Sequence, residues 1–329
     1  MIYSILIPVK KINNYVKNNI KIINKIKPEK TEIIIIVNKK DNYHFKSQIN
    51  LKIVESGPCS PGIKRDLGAK IANGNYLIFF DDDSFPKKNY FKHLSNLILT
   101  TKYNIFAGPG ITPKYQTTKQ RISGAFFLTA LGAGNISRYI STFRQIVDDW
   151  PSVNFVIKKK IFNKIKGFNT NYWPGEDTFL CNKLKKIGNK ILYSPDLIVF
   201  HHRREGFFNH LKQIYNYGFH RGYFARKYKK ISLKLIYFLP SIFLLTFFFV
   251  IVHSIYFKIF FYLLILLLIY SAVSIFLMFK ILTYENLNIS LRTLPYIISS
   301  HLTYGISFLK GFFTFENIKK NKKYLLKFK

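Results

Sequence analysis

No charged residue occurs from Leu235 to Phe257, and none from Ile259 to Phe279. As helices, runs of 23 and 21 uncharged residues are long enough to cross a hydrocarbon core of about 30 Å. Helices buried inside a soluble protein are rarely so long and so uniformly apolar. The chain is therefore expected to consist of a globular part followed by a membrane anchor that begins after Lys234.

The globular part has the length of one ordinary domain and a little more. Lys and Arg number 51 against 16 Asp and Glu, a formal charge of +35. Such an excess suits nucleic acid, anionic lipid or a polyanionic substrate. Lys, Ile and Asn are abundant throughout, so part of the excess is general composition. Cys59 and Cys181 lie far apart and offer neither a metal spacing nor a disulfide framework, which fits a reducing cytoplasm. The opening stretch Ile2–Val9 is strand-like and lacks the charged start and cleavable apolar core of a signal peptide.

Within the globular part, Tyr76–Phe80 is a continuous apolar run that ends in Asp81, Asp82 and Asp83. Bounded by Asn73-Gly74-Asn75 and Pro86, it reads as a strand covered on both faces. Three adjacent carboxylates at the carboxyl end of such a strand suit a hard cation, Mg²⁺ or Mn²⁺, held together with substrate phosphates. A solvated acidic turn with Ser84 capping the next helix is the plainer alternative. Residues 2–9 and 32–37 read as parallel core strands around an amphipathic helix at 12–27, a βαβ opening. A strand at 51–54, a turn-rich loop at 55–62 and a helix at 63–72 follow. A helix is expected from Ser84 to Thr100 and strands at 103–107, 154–157 and 190–193. Such alternation predicts a doubly wound, Rossmann-like α/β sheet. The Gly-punctuated apolar stretch 126–134 is too short to span and reads as core or as a surface dipping toward the membrane. Residues 206–230 alternate aromatic and basic side chains. Before a membrane span, a basic helix on the anionic inner leaflet explains them better than stacking on a nucleic-acid strand.

Taken in order, the opening strand with Pro8, the loop and helix from Gly57 to Gly68, Asp81-Asp82-Asp83, Gly175-Glu176-Asp177 and His201-His202-Arg203 resemble the inverting family-2 glycosyltransferases of the GT-A fold, in their membrane-anchored branch. The resemblance covers about residues 2–225. It implies a GT-A domain over 1–205, an interfacial segment at 206–234, a transmembrane hairpin at 235–290, and an interfacial or third membrane helix with a basic tail at 291–329. It implies a nucleotide-sugar donor and a lipid-linked or glycan acceptor, with nucleic acid not a partner. Asp83 is then the metal ligand, aided by His201 or His202. Asp81, with Asp82, faces the nucleoside side. Pro8, Val9, Asn38, Gly57 and Arg65 lie along the nucleotide, and Trp173 is a platform for a sugar. Asp177, beside Glu176, is the base that deprotonates the acceptor hydroxyl, although acids in a first helical turn also serve as plain caps.

Two departures stand out. The acid expected after the second strand is replaced by Asn38-Lys39-Lys40, which leaves the donor base open. The Gln-x-x-Arg-Trp motif of processive synthases is reduced to Gln213-Ile214-Tyr215-Asn216-Tyr217, so single addition is expected. A catalytically silent scaffold and a nucleic-acid-binding membrane protein are the rival classes; neither needs Asp81, Asp83 and Asp177 together. Lys227, Lys229, Lys230 and Lys234 before the first run, and six lysines from Lys319 to Lys329, predict two spans with a cytoplasmic catalytic domain. Residues 293–313 are then expected at the inner interface or folded back.

Overall fold

The computed structural model describes residues 2–41 and 43–315. The strands are β1 (Tyr3–Pro8), β2 (Thr31–Val37), β3 (Asn50–Glu55), β4 (Tyr76–Phe80), β5 (Ser84–Pro86), β6 (Ile105–Ala107), β7 (Gly110–Ile111), β8 (Gln145–Val147), β9 (Asn154–Lys158), β10 (Ile191–Tyr193) and β11 (Val199–His201). The helices are α1 (Asn14–Ile26), α2 (Pro61–Ile71), α3 (Tyr90–Thr100), α4 (Thr118–Phe126), α5 (Ala130–Ala133), α6 (Lys159–Lys164), α7 (Glu176–Lys186), α8 (Phe207–Lys227), α9 (Lys229–Ser232), α10 (Leu235–Phe257), α11 (Phe261–Leu282) and α12 (Leu287–Phe312). They fall into two compact units. One comprises the described residues up to Ile111 with Ile140–His202; the other comprises Thr112–Tyr139 with the described residues from Arg203 onward.

The first unit is an α/β sheet in the order β3-β2-β1-β4-β9-β6-β10-β8. Its core strands read as unbroken apolar runs because both faces are covered. Ile5, Ile7, Ile33 and Ile35 belong to one buried cluster, while the alternating Leu6, Ile34 and Ile36 belong to the other. Each such side chain contributes about 1.5–3 kcal/mol relative to exposure. β1 pairs with β2 and β4 in parallel, as does β2 with β3. β9 differs: it runs antiparallel between β4 and β6. Its Asn154 satisfies three neighbours at that junction, accepting from the Tyr90 hydroxyl at 2.9 Å and donating to the Leu197 and Pro109 carbonyls.

A second sheet of three short strands, β5-β11-β7, lies beyond the end of β4. The helix expected from Ser84 is replaced here by a strand, and α3 starts only at Tyr90 after Asn89. Ser84 is engaged at the strand end instead. Its hydroxyl accepts the Asp81 N–H and donates to the Asp81 carbonyl, both at 3.0 Å. α1 and α2 carry the caps their sequences advertise, Asn13 accepting from the Val16 N–H and Ser60 from that of Ile63, with Pro61 in the first turn.

The second unit is helical. Residues 112–139, read above as part of a 1–205 domain, belong to it. α4 opens with a reciprocal capping box between Thr117 and Gln120. Phe126 and Phe127 sit in a buried cluster with Ile214 of α8 and Ile289 and Ile297 of α12, so the apolar stretch is core. α8 and α12 approach closely. A Cβ on Gly222 would run into the Phe308 carbonyl, and one on Gly311 into that of Phe219. α8 thus buries one face, leaving Lys212 and Lys227 exposed. α12 is a single helix from Leu287, so residues 293–313 continue a segment that starts before them. α10 and α11 are each long and apolar enough to cross a membrane, and Phe248, Phe249 and Leu268 on them are exposed. The lysines beyond residue 315 lie outside the described residues.

Candidate functional site

The end of β4 separates the three acids by giving each a different partner. Asp81 Oδ1 meets Arg65 Nη2 at 2.5 Å. Asp82 Oδ2 accepts from Asn13 Nδ2 at 2.7 Å. Asp83 Oδ1 lies 3.2 Å from His201 Nε2. The small sheet is responsible for the last contact, since β11 pairs with β5 so that His201 stands opposite Ser84. The His202 N–H donates to the Asp83 carbonyl at 2.9 Å. The His202 ring packs at 4.7 Å from Tyr15 and 5.7 Å from Phe85.

Asp81, Asp83 and His201 each offer one ligand atom, and these atoms lie within 4.8 Å of one another. Two carboxylate oxygens and an imidazole nitrogen at that spacing can all reach one divalent cation, and the oxygen-rich set suits a hard one. The cluster does not include His202.

Arg65 joins these acids to the second acidic pair. Its buried guanidinium contacts Asp81 and, through Nη1, Glu176 Oε1 at 3.5 Å. Phe168 covers it at 5.6 Å. Burial opposes its charge, but the carboxylates of Asp81, Asp177 and Glu176 outweigh burial and hold its pKa above the ordinary value. Glu176 and Asp177 open α7 after Gly175, whose φ of 113° is one that L side chains rarely adopt. Burial, then the adjacent Asp177 charge, push Glu176 up to about 8 against the pull of Arg65. Burial likewise raises Asp177, opposed by Arg65 and by hydrogen bonds from Ser152. Asp177 Oδ1 is buried with no hydrogen-bond partner among the described residues. Two neighbouring carboxylates of raised pKa and one orphaned oxygen are what a proton-accepting site requires.

The remaining expected residues line the carboxyl ends of β1 to β3. The Val9 N–H bonds to the Ile36 carbonyl and the Asn38 N–H to the Lys10 carbonyl, which closes the tops of β1 and β2 together. Pro8 ends β1 opposite Ile36. Gly57 turns the chain after β3 with φ of 67°. Asn38 Oδ1 is buried without a partner among the described residues. Trp173 is 57% exposed in the loop before α7.

Four residues escaped the sequence reading. Lys64 is almost completely buried, donates from Nζ to the Val9 carbonyl, and is pushed down to about 8 by burial. Asn13 serves both α1 and Asp82. Ser152 holds Asp177. Asp66 accepts the N–H groups of Phe168 and Asn169 at 2.7 and 2.8 Å, fixing the loop over Arg65. Only Lys64-Arg65-Asp66 carried a signal: three charges in a row on a short helix packed against a sheet cannot all reach water.

Residues 76–281, more than half of the chain, match the model of glycosyl transferase family group 2. The chain belongs to that family. The chain also shares its fold with a mannosyltransferase from Pyrobaculum calidifontis solved with GDP-Man and Mn²⁺. That likeness has a TM-score of 0.58 at 11% identity and covers 95% of this chain and 88% of that one. S. aureus TarS 1-349 with UDP-GlcNAc aligns at TM-score 0.46 and 14% identity over 67% of this chain. GalNAc-T7 with UDP, GalNAc and Mn²⁺ aligns at 0.47 and 16% over 71%. The chain spans 66% of the TarS 1-349 chain, 39% of a longer TarS chain and 52% of the GalNAc-T7 chain. No curated protein sequence matches it.

Proposed function

We propose that the protein is an inverting enzyme that moves one sugar at a time from a nucleotide-sugar donor to a membrane-associated acceptor, lipid-linked or polysaccharide. The observation that carries this is the double contact of Arg65. One buried guanidinium touches Asp81 at the strand end and Glu176 at the start of α7. Acids suited to a metal–diphosphate and acids suited to proton abstraction therefore share one site.

Asp83 and His201 would hold a divalent cation, Mg²⁺ or Mn²⁺, with Asp81 beside them and His202 bracing the turn. When bound, such an ion neutralises charge developing on the leaving nucleoside diphosphate. The rest is done by side chains of this protein. Pro8, Val9, Asn38 and Gly57 form the bed for the nucleoside, and Asp82, tied to Asn13, keeps the strand end in register with α1. Arg65 holds Asp81 and adds positive charge where the diphosphate lies. Exposed Trp173 offers its face to a sugar. Asp177 takes the proton of the acceptor hydroxyl on its unpartnered oxygen, while Ser152 and Arg65 hold the carboxylate in place. Glu176, whose proton is favoured by burial and by the adjacent Asp177 charge, keeps the two from repelling. Attack opposite the leaving group inverts the anomeric centre. Single addition is supported by the eroded segment Gln213–Tyr217, and nucleic acid is not a partner.

α10 and α11 would cross the membrane as a hairpin, with Lys227, Lys229, Lys230 and Lys234 at the cytoplasmic face. A cysteine appended after Lys329, in a background lacking Cys59 and Cys181, should resist an impermeant thiol reagent until cells are lysed. Labelling of intact cells would contradict this topology. The chemical proposal is tested by NMR of the product made from an anomerically pure UDP- or GDP-sugar. An inverted linkage is expected; a retained one overturns it.

A further inference from the structure

Two buried histidines of the helical unit are treated differently. His210 on α8 has both ring nitrogens engaged, Nδ1 by the Ser123 hydroxyl and Nε2 by the Ser300 hydroxyl, each at 2.9 Å. His301, the very next residue after Ser300, is 7% exposed and has only one nitrogen engaged. Its Nδ1 lies 3.1 Å from the Tyr270 hydroxyl of α11. Its Nε2 is buried with no hydrogen-bond partner among the described residues.

The surroundings are aromatic. Phe126 lies 6.2 Å from the His301 ring, and Phe243 of α10 stacks on Tyr270 at 4.4 Å. Phe243 is eight residues from the start of α10 and Tyr270 twelve from the end of α11, which places them about 12 and 18 Å along their helices. If these helices span, as proposed above, the pair lies in hydrocarbon, where no bulk water relieves an unpaired polar group. Polar and ionisable residues at such depth mark ligand or transport sites more often than packing.

The chemistry of the orphan nitrogen narrows the ligand. A neutral imidazole carries one proton. If Tyr270 donates to Nδ1, Nε2 bears the proton and needs an acceptor; if Nδ1 donates to Tyr270, Nε2 needs a donor. A hydroxyl serves either case. The aromatic walls favour an apolar body attached to that hydroxyl. We propose that Tyr270 and His301 form an intramembrane site for the hydroxyl group of a long-chain lipid alcohol.

Two photoreactive probes test this on the full chain in phosphatidylcholine nanodiscs: hexadecanol bearing a diazirine near its hydroxyl, and hexadecane bearing the same diazirine. The alkane should label the outward faces of α10 and α11, an independent check that these helices are in the bilayer. The alcohol should label the segments around Tyr270 and His301 about fivefold more than the alkane does, the affinity contributed by one neutral hydrogen bond. That preference should vanish in His301→Phe and be weakened in Tyr270→Phe, while His301→Gln, which keeps a hydrogen-bonding amide, should retain part of it. If the alkane labels neither helix, the spanning assignment fails. If the alkane labels them and the wild-type protein shows no preference for the alcohol, the site is wrong and only the membrane assignment stands.

Discussion

The two ends of the α/β sheet bury acids in opposite ways. At the amino end, Glu32 of β2 is 4% exposed and fully occupied. It accepts from the Ser4 hydroxyl at 2.6 Å, the Asn73 N–H at 2.5 Å and Lys52 at 3.1 Å. Burial opposes its ionisation, but those partners overcome it and hold its pKa below the ordinary value. At the carboxyl end, Glu176 is buried and Asp177 half-buried, each with too few partners, and both are raised. A buried acid that stabilises the fold is saturated with donors; a buried acid kept for chemistry is left partly unsatisfied and so stays responsive to protons and ligands.

The largest effect expected from this contrast is at the strand end. Asp83→Ala should bring sugar transfer below detection, and a chelator should mimic it in the wild type. Full transfer by the variant, or in excess chelator, would remove the cation from the account. Next, Asp177→Asn keeps the shape but removes the proposed base, so turnover should fall roughly 10²–10⁴-fold, read as kcat with the donor saturating. At the amino end, Glu32→Ala leaves the Ser4 hydroxyl and the Asn73 N–H without their acceptor. A loss of about 1–3 kcal/mol of stability is expected, with kcat unchanged at a temperature where the variant is folded. A drop in kcat without a drop in thermal midpoint would blur the contrast between the ends.

The ends should also respond to pH with opposite sign. Folded Glu176 keeps a proton that the unfolded chain releases near the ordinary carboxylate value of about 4.3. Its contribution to stability is therefore complete below that value and is lost as pH rises toward about 8. Glu32, with its lowered pKa, contributes above the ordinary value and loses that contribution as pH falls through its folded one. Thermal midpoints measured across pH should flatten on the alkaline side in Glu176→Gln and on the acid side in Glu32→Gln. The smallest effect is expected at Asn13→Ala, about 1 kcal/mol of stability from the lost cap, with a modest weakening of donor binding through Asp82.

How much of this was legible in the sequence follows from range. The acid-tipped strand, the βαβ opening and both membrane-length helices depend on local pattern, and they lie where the pattern put them. Ser84 failed as a helix cap because the turn it closes belongs to a second sheet, completed only by residues 110–111 and 199–201. The antiparallel course of β9 and the inclusion of residues 112–139 among the helices depend on distant partners that an apolar run does not name. In the site, Asp83 and Asp177 could be singled out by the family resemblance. The link through Arg65, the hold of Ser152 on Asp177 and the burial of Lys64 are tertiary facts. Glu32 shows the same limit from the other side, since nothing in Thr31-Glu32-Ile33 tells of Ser4 or Asn73.

The central claim is that one site separates donor binding, at Asp81, Asp83 and His201, from proton removal, at Asp177. Calorimetric titration of UDP and GDP into the purified full chain, with Mn²⁺ and with chelator, tests it most directly. Binding of one of the two should require Mn²⁺, disappear in Asp83→Ala, and persist in Asp177→Asn with affinity little changed. Binding that is indifferent to the chelator, or lost equally in both variants, would contradict the account.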